Sequence, residues 1–189
     1  MMRLHGRTAF ALPLLLLLAA AGARAQGTAA PAANGDGFRL KGLDGKFYDT
    51  AEMKGDVLVV SFGSTSCVPC FYEHMAIEEL KVEYTGKPVR FLWVSVESPK
   101  EVSNNVLRYY VKERRITVPV LRDPGGVALA QYEKTGNRVP VVVFFDAEGR
   151  PSGKAQQGMP QDITVYKQLV RERVNALLAA RPAAGAGGR

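Results

Sequence analysis

Cysteine is scarce in this chain: 189 residues hold two, Cys67 and Cys70, three positions apart. That excludes a multi-disulfide scaffold and a four-cysteine zinc site. Phe71, not histidine, follows Cys70, which excludes c-type haem attachment. Glycine-rich phosphate loops of the P-loop or dinucleotide type are absent. The formal charge of +7 falls to +4 when residues 1–25, with Arg3, Arg7, Arg24 and no acid, are set aside. No dense Lys/Arg stripe is left, so a nucleic-acid partner has no support. At 47% hydrophobic and 23% charged residues, the composition is that of a globular chain rather than a disordered one.

Long apolar runs are also missing beyond the N-terminus. Residues 1–25 place Arg3 and Arg7 ahead of an apolar stretch over 9–22 and end in Ala23-Arg24-Ala25. This predicts a secretory signal peptide cleaved after Ala25. The stretch is shorter than the ~20 residues a spanning helix needs, although a retained anchor is the alternative. No cysteine near the cleavage site offers a lipid anchor, and Arg3 and Arg7 are not a twin-arginine pair. Export to the periplasm or beyond would put the two cysteines in an oxidising compartment. Residues 26–37 read as a flexible Ala/Gly/Pro linker and 182–189 as a disordered tail, leaving 38–181 as one domain.

Within that domain, short strands alternate with helices. Asp44-Gly45 signals a hairpin between 38–40 and 46–48. The apolar run over 57–62 predicts a strand buried on both faces, as do 89–96 and 141–145. Helices are expected over 67–84, with Met75, Ile77, Leu80 and Tyr84 inward, and over 99–115, with a Val106/Tyr109/Tyr110 face. A strand over 118–121 and a short helix over 127–133 follow, and the turn at Asp146–Gly149 leads to a strand over 153–157. An amphipathic helix over 161–180, carrying Tyr166, Val170 and Val174, closes the domain. Alternation implies parallel crossovers and an α/β layer fold, while the tight late turn permits only an antiparallel pair, so the sheet is mixed.

Cys67-Val68-Pro69-Cys70 falls between a buried strand and a helix start. Free backbone N–H groups and the helix dipole there favour a thiolate, which should bring the Cys67 thiol below its usual ~8.5. Cys67 is then the nucleophile and Cys70, one turn inside, the resolving thiol. Two other readings stand beside this one. A four-residue disulfide loop would be a weak staple of about 2 kcal/mol. A zinc or copper half-site could add His74, four residues beyond Cys70 on the same helix face. Otherwise His74 reads as a partly exposed helix residue. Arg138-Val139-Pro140 leads a buried strand, and the Val139–Pro140 bond could be cis or an ordinary trans strand start.

In this order the pieces resemble the thioredoxin superfamily, specifically the TlpA/ResA-like exported thiol-disulfide oxidoreductases. The likeness covers about 38–178, including the CxPC, Glu73 three residues beyond it, Val139-Pro140 before a strand, and Asp146/Gly149 after it. It implies a thioredoxin-like fold: a mixed central sheet flanked by helices, with an added N-terminal hairpin and a central helix-strand insertion over 99–121. It implies that Cys67 attacks, Cys70 resolves, Pro140 is cis beside them, and Val139 backbone groups dock an extended substrate. It implies no cofactor, no bound metal and a monomer. The partners it implies are cysteines of other exported proteins, reduced in apocytochrome or copper-site maturation, with a membrane thiol protein as electron donor. A copper-binding assembly factor using the same cysteines is the alternative. The chain departs from the family at Ser66 and at Gly63-Ser64, where Trp and Trp-Ala are common. Val139 replaces a threonine and Met75 a helix proline. Ser61 stands where thioredoxins keep a buried acid. Glu73 is a candidate substitute, but by position reads first as a solvated helix carboxylate.

Overall fold

The computed structural model describes residues 30–31, 37–134, 136 and 138–181. The regions read as signal peptide and C-terminal tail lie outside the described residues. Strands are β1 (Ala30–Pro31), β2 (Phe38–Gly42), β3 (Phe47–Asp49), β4 (Val57–Gly63), β5 (Val89–Ser95), β6 (Val120–Arg122), β7 (Val141–Phe145) and β8 (Gln156–Gln157). Helices are α1 (Val68–Glu83), α2 (Asn104–Glu113), α3 (Leu129–Tyr132) and α4 (Ile163–Ala179). The sheet runs β1-β2-β6-β5-β4-β7-β8, with β3 paired to β2. The β4/β5 and β5/β6 pairs are parallel, and β4/β7, β7/β8 and β2/β6 are antiparallel, so the sheet is mixed as expected. Strand β1 falls inside the stretch read as linker, pairing Ala30 with Arg39 and Pro31 with Phe38.

Strand β4 is buried at all seven positions. Val57 and Val59 face a layer containing Ile77, Leu80, Tyr166 and Val170, whereas Leu58, Val60 and Phe62 face one containing Phe38, Leu129 and Phe145. Apolar cover on both faces is why the run reads as nearly continuous rather than alternating. The hairpin turns at Gly45, whose φ of +86° suits glycine, and the Gly42 N–H closes it onto the Lys46 carbonyl at 2.8 Å.

The insertion helix differs from expectation. Pro99 does not open it, because residues 98–101 are held as a turn in which Ser98 N–H donates to Glu101 Oε2 at 2.8 Å. Ser103 is the N-cap, accepting the Val106 N–H at 3.3 Å. Leu107 is the residue α2 buries, with Tyr110 and Val111 packed beside it, while Val106 and Tyr109 are 55% and 66% exposed. The last strand is also shorter than the expected 153–157, and Met75 of α1 is exposed.

The larger correction concerns α1. Glu73 is 0% exposed and His74 4%, so neither is the solvated or partly exposed residue that its type suggests. The inward stripe of α1 runs Cys70, Glu73, His74, Ile77 and Leu80, the spacing of one helix face. Ser61 Oγ from β4 donates to Glu73 Oε2 at 2.5 Å, and Tyr166 Oη from α4 donates to Oε1 at 3.0 Å. This polar knot ties α1, β4 and α4 together inside an apolar layer. Burial pushes the Glu73 carboxyl up to about 7, against the two hydrogen bonds, which favour its charged form. His74 packs edge-on to Trp93, ring centroids 4.4 Å apart, and burial pushes it down to about 4.

These two neighbours pull the pH dependence of stability in opposite directions. From its ordinary 4.5 up to about 7, Glu73 binds its proton more tightly folded than unfolded, so it favours folding increasingly as pH falls through that window. His74 does the reverse between 6.5 and about 4, where the unfolded chain takes up the proton first. From pH 7 to pH 5, Glu73→Gln should therefore lose more stability than the parent chain, and His74→Phe less. Urea unfolding at the two pH values measures this, and identical pH slopes in all three proteins would contradict the assignment.

Candidate functional site

Strand β4 ends at Gly63, and four residues later Cys67 caps α1 in an extended conformation, with Pro69 in the first turn. The Cys70 N–H donates to Cys67 Sγ at 3.1 Å, so the sulfur takes the place a serine or aspartate oxygen usually fills at a helix start. No acidic side chain lies in the first turn of α1 to oppose the positive end of its dipole. Cys67 and Cys70 are joined as a disulfide, with Cα atoms 5.3 Å apart. The two sulfurs differ in access: Cys67 is half-buried, while Cys70 is 0% exposed.

All four residues singled out by sequence come together here. Cys67 Sγ lies 3.7 Å from the Val139 carbonyl oxygen, and the Val139–Pro140 bond is cis, as the resemblance implies. Pro140 is buried, and its carbonyl accepts the Gly158 N–H at 2.8 Å, which fixes the loop before α4 beside it. His74 sits one turn below Cys70 with its ring against Trp93 and Tyr110. Among the described residues no group of three or more His, Cys, Asp or Glu side chains is placed to hold a metal ion.

The unusual approach sequence has a steric cause. A Cβ on Gly63 would stand 2.7 Å from Trp93 Nε1 and 3.3 Å from Cys70 Sγ. The indole from β5 thus occupies the space that a side chain at the end of β4 would need. On the other side, Val68, Pro69, Tyr72 and Met75 of α1 meet Met159, Pro160 and Ile163 across an open apolar groove of about 640 Å³. Sequence reasoning gave no role to Glu97. Its carboxylate accepts the Thr65 N–H and hydroxyl and the Ser95 hydroxyl, so it braces the loop that leads to Cys67. No local pattern marks it, since its principal partner lies 32 residues away.

The chain is 32% identical over 112 residues to the thioredoxin-like protein YneN of Bacillus subtilis, covering 59% of this chain and 63% of that protein. It is 25% identical over 113 residues to the thiol-disulfide oxidoreductase ResA of Bacillus cereus, covering 60% and 62%. The alignment thus spans less than two thirds of either relative. Among solved structures, the exposed lipoprotein thioredoxin Etrx1 of Streptococcus pneumoniae superimposes with a TM-score of 0.61 at 26% identity, covering 75% of this chain and 99% of that one. A thioredoxin-family thiol:disulfide interchange protein from Chlorobium tepidum gives 0.61 at 24% identity, covering 82% and 99%. The fold is thioredoxin-like. Because the Redoxin family matches across residues 25–170, a span that includes the cysteine pair, Glu73, Glu97 and the cis proline, the chain belongs to the Redoxin family.

Proposed function

We propose that this chain is an exported thiol-disulfide oxidoreductase that exchanges its Cys67–Cys70 pair with cysteines of other exported proteins, working mainly as a reductase. The observation that carries the reading is the unequal pair: a half-buried Cys67 at the start of α1 and a fully buried Cys70 one turn inside. Similarity to proteins named as thiol-disulfide oxidoreductases supports it. The signal-like residues 1–25 support export, and cytochrome or copper-site precursors are the proposed substrates, with a membrane thiol protein as electron donor.

In the reducing direction, the Cys67 thiolate attacks one sulfur of a substrate disulfide. A mixed disulfide forms, and the other substrate sulfur leaves as a thiolate that takes a proton from solvent. Cys70, deprotonated, then attacks Cys67 Sγ. The second substrate thiolate leaves, and the chain ends with the Cys67–Cys70 disulfide. Two electrons have passed from the chain to the substrate. Backbone groups of Val139, beside Cys67, would pair with the extended substrate segment. Cys70 is shut off from water, so its proton needs an internal acceptor. Glu73, one turn further along the same inward face and raised to about 7, is suited to take it near neutral pH.

In the reduced protein at pH 6, iodoacetamide should label Cys67 at least about tenfold faster than Cys70. Peptide mapping of the alkylated protein reads the ratio, and preferential labelling of Cys70 would reverse the assigned roles. Replacing Cys70 by serine should accumulate a mixed disulfide through Cys67 with a disulfide-bonded substrate, visible on a non-reducing gel. No adduct with Cys70→Ser, or an equal adduct with Cys67→Ser, would refute the mechanism. Glu73→Gln should still form the mixed disulfide at the parent rate but resolve it about tenfold or more slowly at pH 7. Stopped-flow measurement of the two phases checks this, and an unchanged second phase would remove Glu73 from the proton path.

A further inference from the structure

Glu97, just beyond the end of β5, holds the loop that delivers Cys67. The Thr65 N–H is shared between its two carboxylate oxygens at 3.0 Å each, and the Thr65 hydroxyl donates to Oε1 at 2.6 Å. Ser95 Oγ donates to Oε2 at 3.1 Å. The Glu97 backbone is held as well, because Arg122 Nη1 donates to its carbonyl at 3.0 Å. The carboxylate therefore joins a fixed strand end to a residue two positions before Cys67. The donors its carboxylate engages at Thr65 and Ser95 are neutral and orient the group, while Arg122 is the cation whose charge interacts with it.

We propose that Glu97 is a positioning residue that locks the loop before Cys67 and, through its negative charge, holds the cysteine pair toward the reducing side. This rests on the thiol-disulfide reading above. A carboxylate near Cys67 opposes its thiolate, and a reduced form that is less stabilised lowers the reduction potential of the pair. The other charged or titratable groups around the pair are engaged mainly elsewhere, and Arg122 in part with Glu97 itself. The Arg122 guanidinium also donates to Asn104 Oδ1 and the Val102 carbonyl. Arg114 lies over the rings of Phe71 and Tyr110, 4.4 and 5.7 Å from their centroids. On the Cys70 side, Glu73 is bound to Ser61 and Tyr166, and His74 packs on Trp93. Glu97 is the carboxylate tied directly to the loop on the Cys67 side.

The test uses the full chain with Glu97→Gln, Glu97→Ala and Glu97→Asp. Each is equilibrated with reduced and oxidised glutathione, and the Cys67 alkylation rate is followed against pH. The glutamine and alanine variants should shift the exchange equilibrium at least about threefold toward the dithiol, or about 14 mV. The midpoint of their alkylation profiles should fall by about half a pH unit. The aspartate variant, which keeps the charge, should stay nearest the parent in both readouts. A Glu97→Gln variant matching the parent in potential and pH profile would overturn the inference, even if Glu97→Ala were impaired. A parent that does not equilibrate with glutathione at all would remove the thiol-disulfide reading and this inference with it. A parent that equilibrates normally beside an unchanged Glu97→Gln removes the inference alone.

Discussion

The sulfur of Cys67 occupies the capping position of α1, and the surrounding structure is arranged around that placement. A helix start needs an acceptor for its free N–H groups. Here the acceptor is the sulfur, which takes the Cys70 N–H. The cap therefore couples the cysteine to the helix dipole and sets the partner cysteine one turn below it. Strand β4, buried on both faces, brings the chain to this point at its C-terminal end, and the parallel β4/β5 pair brings Glu97 and Ser95 up beside it. The cis Val139–Pro140 step at the head of β7 closes the third side.

Below the sulfurs, the helix-facing layer is unusually polar for a core. Ser61, Glu73, Tyr166, His74 and Trp93 stand among aliphatic side chains, and the ring nitrogens of His74 and the indole nitrogen of Trp93 have no hydrogen-bond partner. Burying such groups opposes folding. Their position beneath a fully buried Cys70 accounts for a core that is less stable than an apolar one would be. A thiol without water around it can lose its proton only to a neighbouring group, and a carboxyl held near neutrality is such a group. The glycine at 63 belongs to the same region, since the Trp93 indole nitrogen and Cys70 Sγ both border the space a side chain there would need.

Much of this was legible in the chain itself. The order of strands and helices, the mixed sheet and the Cys67–Cys70 pair at a helix mouth follow from apolar periodicity and from the place of the CVPC stretch. Glu73 was misjudged by residue type, although its spacing from Cys70, Ile77 and Leu80 already put it on the inward stripe. What could not be read was its partner Tyr166, 93 residues away. Glu97 escaped for the same reason, since its meaning depends on a loop 32 residues distant. The face of α2 was misread because two phases of its apolar residues are nearly equal, and packing against the core selects Leu107 over Val106 and Tyr109. Local pattern carries the scaffold, whereas the polar contacts that tune the site are non-local.

The central claim is that the pair passes two electrons to a substrate disulfide through Cys67. A single-turnover reaction tests it most directly: reduced protein is mixed with an equimolar disulfide-bonded peptide, and both are followed by mass spectrometry. The account predicts that the chain becomes two mass units lighter as its Cys67–Cys70 bond forms, while one peptide dithiol appears per chain, by way of a transient adduct at Cys67. A chain that keeps both thiols free while the peptide disulfide stays intact, or an adduct that forms through Cys70, would contradict it.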